Sequence, residues 1–251
     1  MMQVIDTHSH LNFDRYDKDR KQVIQTAFKN DVKYIINIGT DKVTSEQSLA
    51  LAHQYKRIFA TAGWHPHDAD KYCEEDLVEL LDKDKIVAVG EIGLDYYRNL
   101  SPRKMQKEVF ARQIEVAKQY DLPIVVHDRD AHADVMEILK KHSPEKVVFH
   151  CYAGDYDMMQ EVVEQGWFLS FTGVVTFDKN KYFHILQDIP EDRFFVETDA
   201  PYLTPKPYRG KRNRPEYVKH IIEFISMIRG ESPNKIAEKT TANAEEFFNL
   251  P

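Results

Sequence analysis

Two cysteines, Cys73 and Cys151, are all that the 251-residue chain contains. That is too few for a disulfide framework and points to a reducing, cytoplasmic setting. No apolar run approaches the ~20 residues needed to cross a bilayer, so no membrane partner is expected. The start, Met1-Met2-Gln3-Val4-Ile5-Asp6, lacks the charged and apolar regions of a secretory leader. Several catalytic signatures are missing as well. There is no Gly-x-Ser-x-Gly nucleophile elbow, no Walker A loop and no Gly-x-Gly-x-x-Gly dinucleotide fingerprint. Nor is there an excess of basic charge. With 34 Lys and Arg against 41 Asp and Glu, the formal net charge is -7, which argues against coating a long duplex by bulk electrostatics. One local exception is the segment from Lys206 to Pro215, with five cations and no acid, enough to bind a few phosphates.

What is present is a hydrophobic fraction of 42%, enough for a substantial core. Short β-branched or apolar runs recur at 4–6, 33–38, 58–62, 86–90, 123–126, 146–149, 168–171 and 194–196. Amphipathic stretches alternate with them. In 103–120, for example, Val109, Phe110, Gln113, Ile114 and Ala117 recur near the helical period. Stretches 158–165 and 217–229 behave similarly, with Asp155 and Pro215 as helix-start residues. Eight strands alternating with helices imply parallel βαβ units. They close as a (β/α)8 TIM barrel or open as a doubly wound sheet. The barrel is preferred, because it brings every strand's C-terminal end to one rim. With no linker, repeat or low-complexity tract, residues 1–251 read as one domain.

Ligand-type side chains sit at those strand ends. Asp6-Thr7-His8-Ser9-His10 comes first, and Glu91, His127, His150 and Asp199 each follow an apolar run. Residues i and i+2 of a strand share a face, so His8 and His10 can point into one space. Any single member has an ordinary explanation: a core histidine, a surface acid, or a turn at Asp199-Ala200-Pro201. Six at the same structural address predict a metal-dependent hydrolase with its site at the C-terminal rim. His65 follows strand three onto that rim, with His67 beside it. Cys151 reads as a small packed residue rather than a nucleophile.

These residues resemble the TatD family of metal-dependent deoxyribonucleases, within the amidohydrolase-like superfamily. The resemblance is carried by Asp6-Thr7-His8-Ser9-His10-Leu11, Gly63-Trp64-His65-Pro66, Gly90-Glu91-Ile92-Gly93-Leu94-Asp95-Tyr96-Tyr97, Pro123 to Arg129, His150-Cys151-Tyr152-Ala153-Gly154 and Glu197 to Leu203. These stretches follow family order along essentially the whole chain. His-Cys-Tyr-Ala-Gly departs from the commoner His-Cys-Phe-Ser-Gly without removing a ligand.

The resemblance implies two divalent metal ions (Zn, Mn or Mg), with His8, His10 and Asp199 at one and His127 and His150 at the other. Glu91 stands between them. It further implies catalytic roles for Asp199 and Glu91, and for His65 and Glu197, the last orienting water or forming a structural ion pair. The expected reaction is hydrolysis of DNA phosphodiester bonds, on single strands or frayed ends, by a metal-activated water. Arg129 is expected to pair with Asp95 or contact phosphate. Trp64, Tyr152 or Tyr202 would stack a base, and Arg209, Lys211 and Arg212 would meet the backbone. The alternatives are an amidohydrolase or aminoacyl-tRNA ester hydrolase using the same site, and a non-catalytic metal- or nucleic-acid-binding protein. No obligate protein partner is expected.

Overall fold

The computed structural model describes residues 3–251, so Met1 and Met2 of the start read above lie outside the described residues. Eight parallel strands pair in sequence order: β1 Val4–Ser9, β2 Val32–Asn37, β3 Ile58–Ala62, β4 Ile86–Asp95, β5 Ile124–Arg129, β6 Val147–Phe149, β7 Phe168–Phe171 and β8 Phe194–Val196. Each of the eight expected runs forms a strand. Three extend further than the apolar pattern shows. β1 and β4 continue through polar residues that are buried at the top of the barrel, and β5 continues through His127 to Arg129, whose side chain is exposed.

Helices return between the strands: α1 Arg20–Lys29, α2 Lys42–Gln54, α3 Glu74–Leu81, α4 Arg103–Gln119, α5 His132–His142, α6 Tyr156–Glu164, α7 Lys179–Asp188, α8 Val218–Arg229 and α9 Pro233–Phe247. Asp155 caps α6 by accepting the Met158 amide at 2.9 Å, as its position predicts. Pro215 opens a short 3-10 turn that leads into α8.

Strands buried on both faces need apolar residues on both, which explains the near-continuous runs. The outward side chains pack against the helices in one large cluster. The inward ones, including Ile5, Ile36, Ala88, Val125, Val148 and Phe195, fill the barrel. Helix α9 plugs the N-terminal end, where Ala244, Phe247 and Phe248 join that inner cluster. The barrel closes between β1 and β8 through one backbone bridge, Ser9 to Ala200. It is reinforced by the Asp199 amide donating to the His8 carbonyl at 2.9 Å and the His10 amide to Ala200 at 2.7 Å.

Two irregularities in the ladder matter for the rim. Between Asp6 and Ser9 the pairing of β1 with β2 shifts register, and between Val89 and Ile92 β4 shifts against β5. An extra residue at such a bulge bends the strand and re-aims its side chains. The two bulges hold His8 and Glu91. Just beyond the second, Gly93 lies so close to β5 that a Cβ would sit 2.0 Å from the His127 carbonyl oxygen, at a φ of +143°. Only glycine fits that approach.

Candidate metal centre

The bulges and the seam bring four donor atoms together at the top of the barrel. His8 Nε2 lies 3.2 Å from His10 Nε2, 3.4 Å from Glu91 Oε2 and 3.8 Å from Asp199 Oδ1. His10 Nε2 lies 3.8 Å from Glu91 Oε2 and 3.3 Å from Asp199 Oδ1. Ligands held ~2.1 Å from a tetrahedral ion are roughly 3.4 Å apart, so these spacings are those of a cation cage. The i, i+2 expectation for His8 and His10 is met.

The other carboxylate oxygen of Glu91 faces a second set. Oε1 is 2.7 Å from His127 Nδ1, 3.2 Å from His150 Nε2 and 3.6 Å from His65 Nε2. Glu91 is 4% exposed, and a buried lone carboxylate would be strongly disfavoured. Burial acts to raise its pKa, but the charge of His150 and the His127 and His150 hydrogen bonds more than offset it and hold Glu91 well below the usual carboxylate range. The residues present therefore fit a metal ion, with Glu91 grouped with His8 and His10 on one side and with His65 and His127 on the other.

Behind the donors stands a supporting layer. Glu197 is 1% exposed and takes His150 Nδ1 at 2.9 Å and the Cys151 amide at 2.7 Å. His150 is pushed down by burial, yet Glu91 and Glu197 on either side carry it well above the usual range. Asp95 performs the same service for His127, whose Nε2 is 3.3 Å from Asp95 Oδ2. The same oxygen lies 2.7 Å from His67 Nε2. Carboxylates in this position fix a ligand imidazole's tautomer and strengthen it as a donor. His65 Nδ1 accepts the His67 amide at 3.1 Å, which leaves the proton of the neutral ring on Nε2, facing Glu91. Burial, then His127's charge, hold His65 well below the ordinary histidine range.

Two buried glutamines one heptad apart on α4 brace this layer. Gln106 brackets Asp95, accepting its amide at 2.9 Å and donating to its carbonyl at 3.3 Å. Gln113 does the same to Trp64, at 2.7 and 3.0 Å. In the sequence Asp95 reads only as a partner for Arg129 and His67 only as the neighbour of His65, and Gln106 has no role at all. The signal was there for the glutamine: a polar residue in the apolar phase of a helix has a partner to satisfy.

A cavity of about 290 Å³ opens above the donors, lined also by Phe13, Thr40, His67, Asp68 and Tyr202. Several expected substrate contacts do not reach it. Trp64 and Tyr152 are 2% and 3% exposed. The Tyr152 hydroxyl donates to the Asp155 carbonyl, and both rings are buried, so neither is available to a base. Arg129 does not pair with Asp95, whose oxygens are taken by two histidines and the Arg98 amide. Its guanidinium lies 4.8 Å over the Tyr97 ring. Arg212 is bound to Asp19 at 2.5 Å and covers Tyr16, so it anchors its loop instead of contacting substrate. Arg209 and Lys211 remain exposed, resting on Phe177 and Tyr208. Tyr202 is exposed and lines the cavity.

Comparison with known proteins agrees with this geometry. The family model described as TatD related DNase matches residues 5–249. The chain is 43% identical to the uncharacterized metal-dependent hydrolase YabD of Bacillus subtilis (strain 168), over 98% of this chain and 99% of that protein. It is 36% identical to the 3'-5' ssDNA/RNA exonuclease TatD of Salmonella typhimurium, with 98% and 99% covered. Among solved structures, the TatD homolog YJJV of Escherichia coli K12 superposes with a TM-score of 0.93 at 29% identity, covering 100% of this chain and 99% of that one. No helix among the described residues is long and apolar enough to cross a membrane. An eight-stranded barrel with a histidine–carboxylate cluster at its rim, matched along nearly its full length, places this chain in the TatD family of metal-dependent hydrolases.

Proposed function

We propose that the chain is a single-domain, two-metal phosphodiesterase that degrades single-stranded or frayed DNA. The observation that carries the reading is the division of Glu91: one oxygen faces His8 and His10, the other His127 and His150. In this reading His8, His10, Asp199 and Glu91 Oε2 hold one divalent ion, and His127, His150 and Glu91 Oε1 hold the second. Four imidazoles suit Zn or Mn, and Mg serves where the site is labile. Divalent cations in such a pair supply Lewis acidity and lower the pKa of water to ~7.

The protein's own groups account for the rest. Asp199, whose carboxyl stays ionised because His10 and the neighbouring imidazoles outweigh its burial, accepts the proton of the attacking water. His65, neutral and with its proton on Nε2, donates to a phosphoryl oxygen. Glu197 and Asp95 keep His150 and His127 in position and take no part in the bond changes. Tyr202 stacks an unpaired base, while Arg209 and Lys211 meet phosphates farther along the strand. The name of the Salmonella relative supports a single-stranded substrate. The enzyme would work in the reducing cytoplasm, where the unpaired Cys73 and Cys151 stay as thiols.

The test is turnover by the metal-reconstituted protein on single-stranded DNA, duplex DNA, RNA, aminoacyl-tRNA and cyclic amides. Preferential cleavage of single-stranded DNA is expected. Cleavage of amides or aminoacyl esters without phosphodiesters would overturn the reading.

A further inference from the structure

Large apolar side chains left in water gather at the catalytic end of the barrel. Val43 opens α2, Tyr97 and Leu100 lie between β4 and α4, Met105 is in the first turn of α4, and Tyr202 follows β8. All stand where a strand has just ended, on the face that holds the donor cluster. Met227, near the far end of α8, is the exception.

Within this group Tyr97 is set apart from its neighbour. The Tyr96 hydroxyl donates to Asp134 at 2.5 Å, and Arg103 lies 4.2 Å from its ring centroid, so that side chain is spoken for. Tyr97 is 63% exposed, and among the described residues no hydrogen bond holds its hydroxyl. Its ring faces the Arg129 guanidinium at 4.8 Å. The pair lies outside the cavity lining but close to it along the chain. Tyr97 comes two residues after Asp95, which touches His127, and Arg129 comes two residues after His127 itself. Asp95 and Arg129 are partners in the β4–β5 ladder. Two residues span at most ~7 Å of chain. Across the mouth Tyr202 repeats the arrangement, 44% exposed with Arg15 5.4 Å from its ring centroid.

An exposed phenol ring under an arginine offers two complementary features. The ring face stacks on the π-face of any unpaired base, and the guanidinium fork donates to phosphate oxygens while remaining over the ring. In a chain of net charge -7, a strand must be held by such local features and not by a general field.

We propose that Tyr97 and Arg129 form a second nucleotide subsite, where the ring stacks a base flanking the scissile phosphodiester and the guanidinium binds the adjoining phosphate. This rests on the nuclease reading above. A duplex keeps its bases stacked on one another, so the subsite selects single strands.

The test compares wild type, Tyr97→Ala and Tyr97→Phe, metal-loaded, on a single-stranded oligonucleotide and on the same strand with abasic residues at both ends. Tyr97→Ala should raise KM for the intact strand about tenfold with a much smaller change in kcat. Tyr97→Phe should stay near wild type, since it keeps the ring. On the abasic strand Tyr97→Ala and wild type should have the same KM. No rise on the intact strand, or an equal rise on the abasic one, overturns the subsite. If wild type hydrolyses no oligonucleotide, the nuclease reading falls. Fluorescence anisotropy with the same labelled strands then decides the subsite by itself: a base-dependent loss of affinity in Tyr97→Ala supports it, and equal Kd values overturn it.

Discussion

Asp6 accepts two hydrogen bonds from Thr198, one from the amide at 2.8 Å and one from the hydroxyl at 2.6 Å. The pair ties β1 to the residue just past β8, where the backbone ladder is reduced to one bridge. Burial pushes the Asp6 carboxyl well above the usual range, and the two Thr198 bonds only partly restore it. Removing the acceptor in Asp6→Ala strands two buried donors, each costing about 1–3 kcal/mol. Urea unfolding should show a loss of about 3 kcal/mol. An unchanged midpoint would mean that the seam is held elsewhere.

Glu91→Ala removes the group that faces both donor sets. Turnover is expected to fall on the order of a thousandfold. In parallel, calorimetric titration should register weaker, uncoupled metal binding. A purified variant with wild-type hydrolysis would show that the carboxylate does not bridge.

The supporting carboxylates make a separate prediction. Glu197→Gln and Asp95→Asn keep the shape of each side chain while weakening its hold on His150 or His127. Metal affinity should drop about 10–100-fold in either variant. Competition with a fluorescent chelator measures it, and unaltered affinity would reduce both residues to packing.

Arg212 tests the reading of the basic loop. Its hydrogen bond holds the Asp19 carboxyl below its usual range. A lowered carboxylate stabilises the fold above its unfolded-state pKa, and that contribution is lost as pH falls through the lowered value. Arg212→Ala should therefore cost about 1 kcal/mol at neutral pH, with the gap to wild type closing in acid. A gap that persists in acid would locate the effect in packing on Tyr16 instead.

The strands were legible because each is buried on both faces and reads as an apolar run, with a ligand-type residue at its end. The donor set followed from that repetition. Roles beyond the strand ends were harder to see. Glu197 and Asp199 are two apart, as on one strand face, but β8 ends at Val196 and Asp199 takes a left-handed φ of 52°. The alternation rule no longer applies there, and Glu197 falls behind His150, accepting from its Nδ1 and from the Cys151 amide. Cys151 is also left-handed, at 44°, and the chain beyond it carries Tyr152 into the core. Arg212 meets Asp19 across almost the whole chain, a contact no local pattern encodes.

The bulged β1 and the turn after β8 have a consequence for when the enzyme comes into being. His8 and His10 come from the first strand and Asp199 from beyond the last, across the seam. A chain emerging from the ribosome as far as β7 already carries five of the six proposed ligands and still lacks the sixth, Asp199. In the proposed mechanism the donor set is then completed only when the barrel closes.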